Sequence, residues 1–155
     1  MTALRSDNIV RILNAILKRS HFLGAISYKE LPQKIKKYPF CVVINSAAPH
    51  QKFGHWTAIF CENENWGAYF DSLGIQPWGE ILSFINRNIS NAVYNRRLIQ
   101  HPQSQACGYY CIIFLKSLDS KDNLSHILGQ FEDDTKLNDT KVVSQTNYLI
   151  ENLES

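Results

Sequence analysis

A chain of 155 residues that is 45% hydrophobic holds enough apolar material for one compact core, so a single domain over 1–155 is expected. Sixteen Lys and Arg against fourteen Asp and Glu leave a net charge of +2, too weak to require nucleic acid or an anionic membrane as partner, so any basic patch is local. The longest apolar stretches, Phe40 to Ile44 and Ile112 to Leu115, fall far short of the roughly 20 residues of a membrane-spanning helix. Arg5, Asp7 and Arg11 interrupt the amino-terminal segment where a secretory signal needs an apolar centre, so no export and no membrane contact are expected.

In chain order, Ile9, Ile12, Leu13, Ile16 and Leu17 fall at helical spacing over 7–18, with Ser6 or Asp7 as cap, and Phe22-Leu23-Gly24 ends the helix. After a connection rich in Lys and punctuated by Pro, Phe40 to Ile44 is short, apolar and β-branched, the pattern of a buried strand, broken by Asn45-Ser46-Ala47-Ala48-Pro49. His55 to Cys61 and Ala68-Tyr69-Phe70 read as antiparallel strands around the turn Glu62-Asn63-Glu64-Asn65. Trp78, Ile81, Leu82, Ile85 and Ile89 share a helical face, and Arg97 to Gln100 is expected to add a strand. From Cys107 through Leu118 the pattern is that of a helix apolar nearly all round, hence central, with smaller helices near 123–131 and 142–153. A helix, a small cluster of strands and then mostly helices make an α+β domain.

Cys41, Cys61, Cys107 and Cys111 are read as reduced thiols, because a chain this long folds without staples and nothing indicates secretion. Only Cys107 and Cys111 are close in sequence and no second pair stands at finger spacing, so no metal site is expected. A nucleophilic cysteine acts as thiolate and needs nearby positive potential. Cys107 opens the central helix directly after a Pro-containing loop, where free N–H groups and the macrodipole favour negative charge, and Gly108 leaves room for a substrate backbone. Cys111, one turn on among Tyr110, Ile112 and Ile113, is structural, and Cys41 and Cys61 belong to strands. His55, after Gly54 at a strand start, is the best-placed base; His21, His50 and His126 lie in loops or on an outlying helix, and His101 has no evident carboxylate partner. Asp71 ends the strand that pairs with that of His55, although Asp71-Ser72-Leu73-Gly74 also reads as a turn with Asp at its first position. Gln100, seven residues before Cys107, is a neutral amide able to donate to an oxyanion.

Taken together, GHWTAIFC (54–61), AYFDSLG (68–74) and LIQHPQSQACGYYCIIFL (98–115) resemble the adenovirus protease (adenain-like) family of cysteine peptidases. Phe22-Leu23-Gly24, Val43 to Ala47 and Gln145 to Leu153 extend the likeness over most of the chain. The resemblance implies a papain-like, adenain-like fold with a small mixed sheet packed on a central helix that begins at the nucleophile. It implies Cys107 as nucleophile, His55 as base, Asp71 as third member, and the Gln100 side chain with the Cys107 N–H as oxyanion hole. Gly54, Trp56 and Gly108 are the expected substrate contacts. The adenovirus enzyme has Glu at the position of Asp71; the related ubiquitin-like-protein proteases use Asp.

As function the resemblance implies an endopeptidase that cleaves viral structural precursors near glycine during virion maturation. Such a protein works inside the cell, in a viral factory or host nucleus, and is packaged in the virion; the source would be a virus, a virophage or a Maverick-like element. It also implies an activating viral peptide and DNA as cofactors. Residues 72–106 contain no cysteine, so the peptide is expected to bind without a disulfide, and nucleic-acid binding is expected to be weak. The chain is expected to be a monomer. A protease that removes ubiquitin-like modifiers and a catalytically silent protein-binding domain stay open as alternatives.

Overall fold

A computed structural model describes residues 2–46 and 54–153; Ala47 to Pro49 of the expected strand break, and His50, lie outside them. The elements in order are α1 (Ser6–Ile16), β1 (His21–Ser27), a 3-10 turn (Tyr28–Glu30), β2 (Phe40–Asn45), β3 (Trp56–Asn63), β4 (Trp66–Phe70), α2 (Gly79–Asn88), β5 (Ala92–Tyr94), α3 (Cys107–Asp119), α4 (Leu124–Gly129) and α5 (Thr135–Leu153). The strands form one mixed sheet in the order β1-β2-β3-β4-β5. The outer pairs are parallel and the two inner pairs antiparallel.

Both faces of this sheet are covered, so Phe40 to Ile44 reads as a continuous apolar run, and Thr57 to Cys61 is buried throughout where the sequence suggests alternation. Phe40, Val42, Ile44, Ile59, Cys61 and Tyr69 pack with Ile81, Phe84 and Ile85 of α2. Cys41, Val43, Ala58, Phe60, Ala68 and Phe70 face the opposite layer, where they meet α1 and α3. Phe70 stacks on Phe114 of α3 with ring centroids 4.5 Å apart. From Cys107 to Leu115 every residue of α3 is buried, and each large apolar side chain there contributes roughly 2 kcal/mol relative to exposure. That fixes the start of α3 against the end of the sheet.

Four sequence expectations are corrected. Residues 21–27 form a parallel edge strand, not the end of a helix. This strand gives no alternation signal because its ladder shifts between Phe22 and Ala25, at Gly24, whose φ of 114° only glycine adopts readily. The cap of α1 is Arg5, not Ser6 or Asp7, and its N–H donates to Asn8 Oδ1 at 3.1 Å. The extra strand is 92–94; residues 97–100 are irregular because Asn95 claims their backbone, accepting from Arg97 N–H at 3.0 Å and donating to Arg97 O at 3.1 Å. Finally, α5 starts at Thr135, seven residues before the expected 142.

The connection from α1 to β1 hangs on one carboxylate. Asp119, 4% exposed, accepts from the N–H groups of Lys18 (2.8 Å), Arg19 (3.1 Å) and Ser20 (2.8 Å) and from the Ser20 hydroxyl (2.8 Å). Burial opposes its ionisation, but these donors outweigh burial and hold the carboxyl below its ordinary 3.8. The stability it contributes is therefore present above pH 3.8 and lost as pH falls through the lowered folded value. Asp119→Ala leaves three part-buried N–H donors without their acceptor and is expected to cost about 2 kcal/mol, seen as a lower urea midpoint at neutral pH. An unmoved midpoint would show that the connection is held some other way.

Candidate active site

Strands β3 and β4 pair with Ala58 opposite Phe70, so the start of β3 lies beside the end of β4. His55 immediately precedes β3 and Asp71 immediately follows β4. Their side chains meet, His55 Nε2 to Asp71 Oδ1 at 2.7 Å. Asp71 is 3% exposed, and its Oδ1 also accepts the Leu73 N–H at 2.8 Å. The turn reading and the partner reading of Asp71 therefore hold together: the turn locks the carboxylate that faces the imidazole. Asn95, fully buried, donates to Asp71 O at 2.7 Å and secures the backbone beneath it.

Cys107 comes from the other layer as the first residue of α3, where helix N–H groups lack intrahelical acceptors. Its sulfur accepts the Trp56 N–H at 3.4 Å and shares the cleft with the His55 ring. With Nε2 committed to Asp71, the other ring nitrogen is the one left for the sulfur. Burial disfavours the imidazolium, yet Asp71 and Cys107, by hydrogen bonding and by charge, overcome it and raise His55 from 6.5 to about 9. Such a histidine is protonated at neutral pH. The other cysteines are in a different position. Burial pushes the Cys41 and Cys61 thiols up to about 12, and the Cys111 thiol well above its ordinary value.

Gln100 is 2% exposed. Its Oε1 accepts from the Ser72 hydroxyl, while Nε2 donates to Ser104 O at 3.1 Å and Ser104 Oγ at 3.2 Å. His55, Cys107 and Gln100 line one cleft of about 530 Å³, together with Gly54 and Trp56. A side chain at Gly54 would collide with the Asn45 carboxamide, which would have to move aside. Gly108 is not among the residues lining the cleft: a Cβ on it would stand 3.2 Å from Leu4 Cβ and 3.3 Å from Ile9 Cδ1, so it makes room for the protein's own core.

Sequence reasoning missed the first residues of the chain. Ala3, Leu4 and Arg5 line the cleft, held by Trp56 Nε1 donating to Leu4 O at 3.2 Å and Tyr109 OH donating to Thr2 O at 2.8 Å. Backbone acceptors carry both bonds, so no residue type in this segment gave a signal. Among the described residues no three His, Cys, Asp or Glu side chains converge as a metal ion needs, and no helix is long and apolar enough to cross a membrane.

No family model and no curated protein matches the chain. Solved structures do. Two crystal structures of the ASFV protease, one of its selenomethionine form, superpose with TM-scores of 0.52 and 0.50 at 19% and 18% identity, over 66% of this chain. The match spans only 42% and 41% of those chains, so this chain corresponds to less than half of the ASFV protease. The central domain of an uncharacterized Legionella pneumophila protein superposes with a TM-score of 0.50 at 12% identity, over 97% of this chain and 99% of that domain. At these identities the likeness concerns the fold, and that fold is α+β, of the papain-like cysteine protease type.

Proposed function

We propose that this protein is a cysteine endopeptidase that cleaves peptide bonds through a thioester. The observation that carries the reading is that the helix-start thiol of Cys107 and the His55 imidazole line one cleft, while the buried Asp71 carboxylate behind them is hydrogen-bonded to the same ring. The Cys107 thiolate attacks the scissile carbonyl, and Gln100 Nε2 with the Cys107 N–H receives the oxyanion. His55 gives its proton to the leaving amine, then takes one from the water that hydrolyses the thioester. Asp71 holds the ring and stabilises its charge throughout.

Within that reading the substrates are viral structural precursors cut near glycine, as in the adenain-like peptidases that the sequence resembles, and the source is a virus, virophage or related mobile element. The likeness of fold to a viral protease agrees with this assignment. Incubating the purified protein with glycine-containing peptides and quenching in acid tests the chemistry: mass spectrometry should find an acyl adduct on the tryptic peptide that carries Cys107. Hydrolysis with no adduct on Cys107, or no hydrolysis of any peptide offered, would count against it.

Activation by a viral peptide and by DNA belongs to the same proposal. Cys41, Cys61 and Cys111 are at most 1% exposed, which leaves none of them on the surface to form a disulfide with an activating peptide. Peptide stimulation is therefore expected to be unchanged by reductant beyond that needed to keep Cys107 reduced. DNA stimulation is expected to be weak and to fade from 50 to 200 mM salt, because a net charge of +2 offers few phosphate contacts. Both are read from the rate of peptide hydrolysis; stimulation abolished by reductant, or DNA stimulation constant across the salt series, would contradict them.

A further inference from the structure

The oxyanion-hole candidate sits on irregular chain, with no helix or strand of its own to hold it. Catalytic donors need placement within about 0.5 Å, so something else must supply the rigidity. Two buried groups from distant parts of the sequence do. From one side, Ser72 O accepts the N–H groups of Ile99 (2.9 Å) and Gln100 (3.1 Å), and the Ser72 hydroxyl donates to Gln100 Oε1. The orientation of the carboxamide follows from acceptor chemistry: Ser104 O can only accept, so the nitrogen must face it and the oxygen must face Ser72. This turns the NH2 group toward the loop that leads into Cys107.

From the other side, α5 reaches the same stretch. Asn138 Nδ2 donates to Ile99 O at 3.0 Å, and Asp139 Oδ1 accepts the His101 N–H at 3.3 Å. The Tyr110 hydroxyl, one turn into α3, lies 2.7 Å from Asp139 Oδ1 and 3.1 Å from Ile99 O. Asn138 is 1% and Asp139 4% exposed, and neither lines the cleft. A buried carboxylate is costly unless its bonds are used, and here they are used on the backbone immediately after Gln100.

We propose that Ser72 and Asp139 are positioning residues that clamp the chain on either side of Gln100 and so aim its Nε2 at the developing oxyanion. The inference rests on the reading of the site as a thiol peptidase. It separates two reactions of one sulfur. Acyl transfer builds a tetrahedral oxyanion and needs Gln100, whereas alkylation by iodoacetamide displaces iodide from carbon and needs only the thiolate.

The test compares Ser72→Ala, Asp139→Ala and Asp139→Asn with the wild type. Both alanine variants are expected to lose about tenfold to a hundredfold in kcat, with KM and the rate of Cys107 alkylation within about twofold of wild type. Asp139→Asn should keep most of the turnover, because its amide oxygen accepts from the same donors. Unchanged kcat in the alanine variants, or kcat and alkylation falling together, overturns the proposal. If Asp139→Ala does not fold, Ser72→Ala decides by the same readouts. Should the wild type alkylate at Cys107 yet hydrolyse nothing, the peptidase reading fails. Amide hydrogen exchange over 99–104 then decides the positioning claim: faster in the alanine variants supports it, unchanged overturns it.

Discussion

Iodoacetamide at neutral pH is expected to label Cys107 and to leave Cys41, Cys61 and Cys111 untouched on the same timescale. The argument is one of thiolate population. A thiol pushed up to about 12, as burial does to Cys41 and Cys61, is ionised in roughly one molecule in 10⁵ at pH 7. Burial likewise pushes the Cys111 thiol well above its ordinary value. Cys107 alone meets an imidazole, a backbone N–H and a helix start, and alone among the four lines the cleft. Cys107→Ala is accordingly expected to abolish peptide hydrolysis, a fall on the order of 10⁵-fold or more, without loss of cooperative unfolding. Cys111→Ala should remain active but melt earlier, since it removes a buried sulfur from α3. Equal labelling of two cysteines, or residual turnover in Cys107→Ala within tenfold of wild type, would falsify the assignment of the nucleophile.

What could be read from the sequence depended on how local the cause was. β2 and the start of α3 were legible from apolar runs that the fold buries on both faces, β3 from a segment rich in Trp, Ile and Phe, and β4 from Ala68-Tyr69-Phe70 just beyond a turn. The pairing of β3 with β4 by a tight turn brought His55 near Asp71 without further information. β1 was hidden by a bulge at Gly24 and by a sheet edge that is nowhere fully buried. The stretch 97–100 carries strand-like residues, but Asn95 and Ser72 take its backbone hydrogen bonds and leave no ladder to form. That choice is made by the Asn95 side chain and the Ser72 carbonyl, and apolar periodicity does not register it. The same limit hid Ser72, Asn95, Asn138 and Asp139, whose burial is tertiary: in the sequence they read as ordinary turn or surface residues, and only the packed structure shows each bond satisfied.

Asp71→Asn is expected to lower kcat on the order of 10³-fold and to move the alkaline limb of the pH profile. The sign follows from the ring. His55 is raised from 6.5 to about 9 because Asp71 and Cys107 outweigh the cost of burying the imidazolium. A raised histidine stabilises the fold fully below pH 6.5, and that contribution is lost as pH rises through about 9. Activity follows the same proton, since above about pH 9 the ring no longer carries what the leaving amine must receive. The wild-type kcat/KM should therefore fall through that value. An asparagine at 71 still accepts the Leu73 N–H and so keeps the turn, but it takes away the negative charge and leaves burial less opposed. The alkaline limb should then shift downward by about one unit or more, with the largest part of the loss in kcat and the melting temperature at pH 6 only modestly lowered. A variant whose limb stays near pH 9 while its stability collapses would mean that Asp71 serves the turn and not the imidazole.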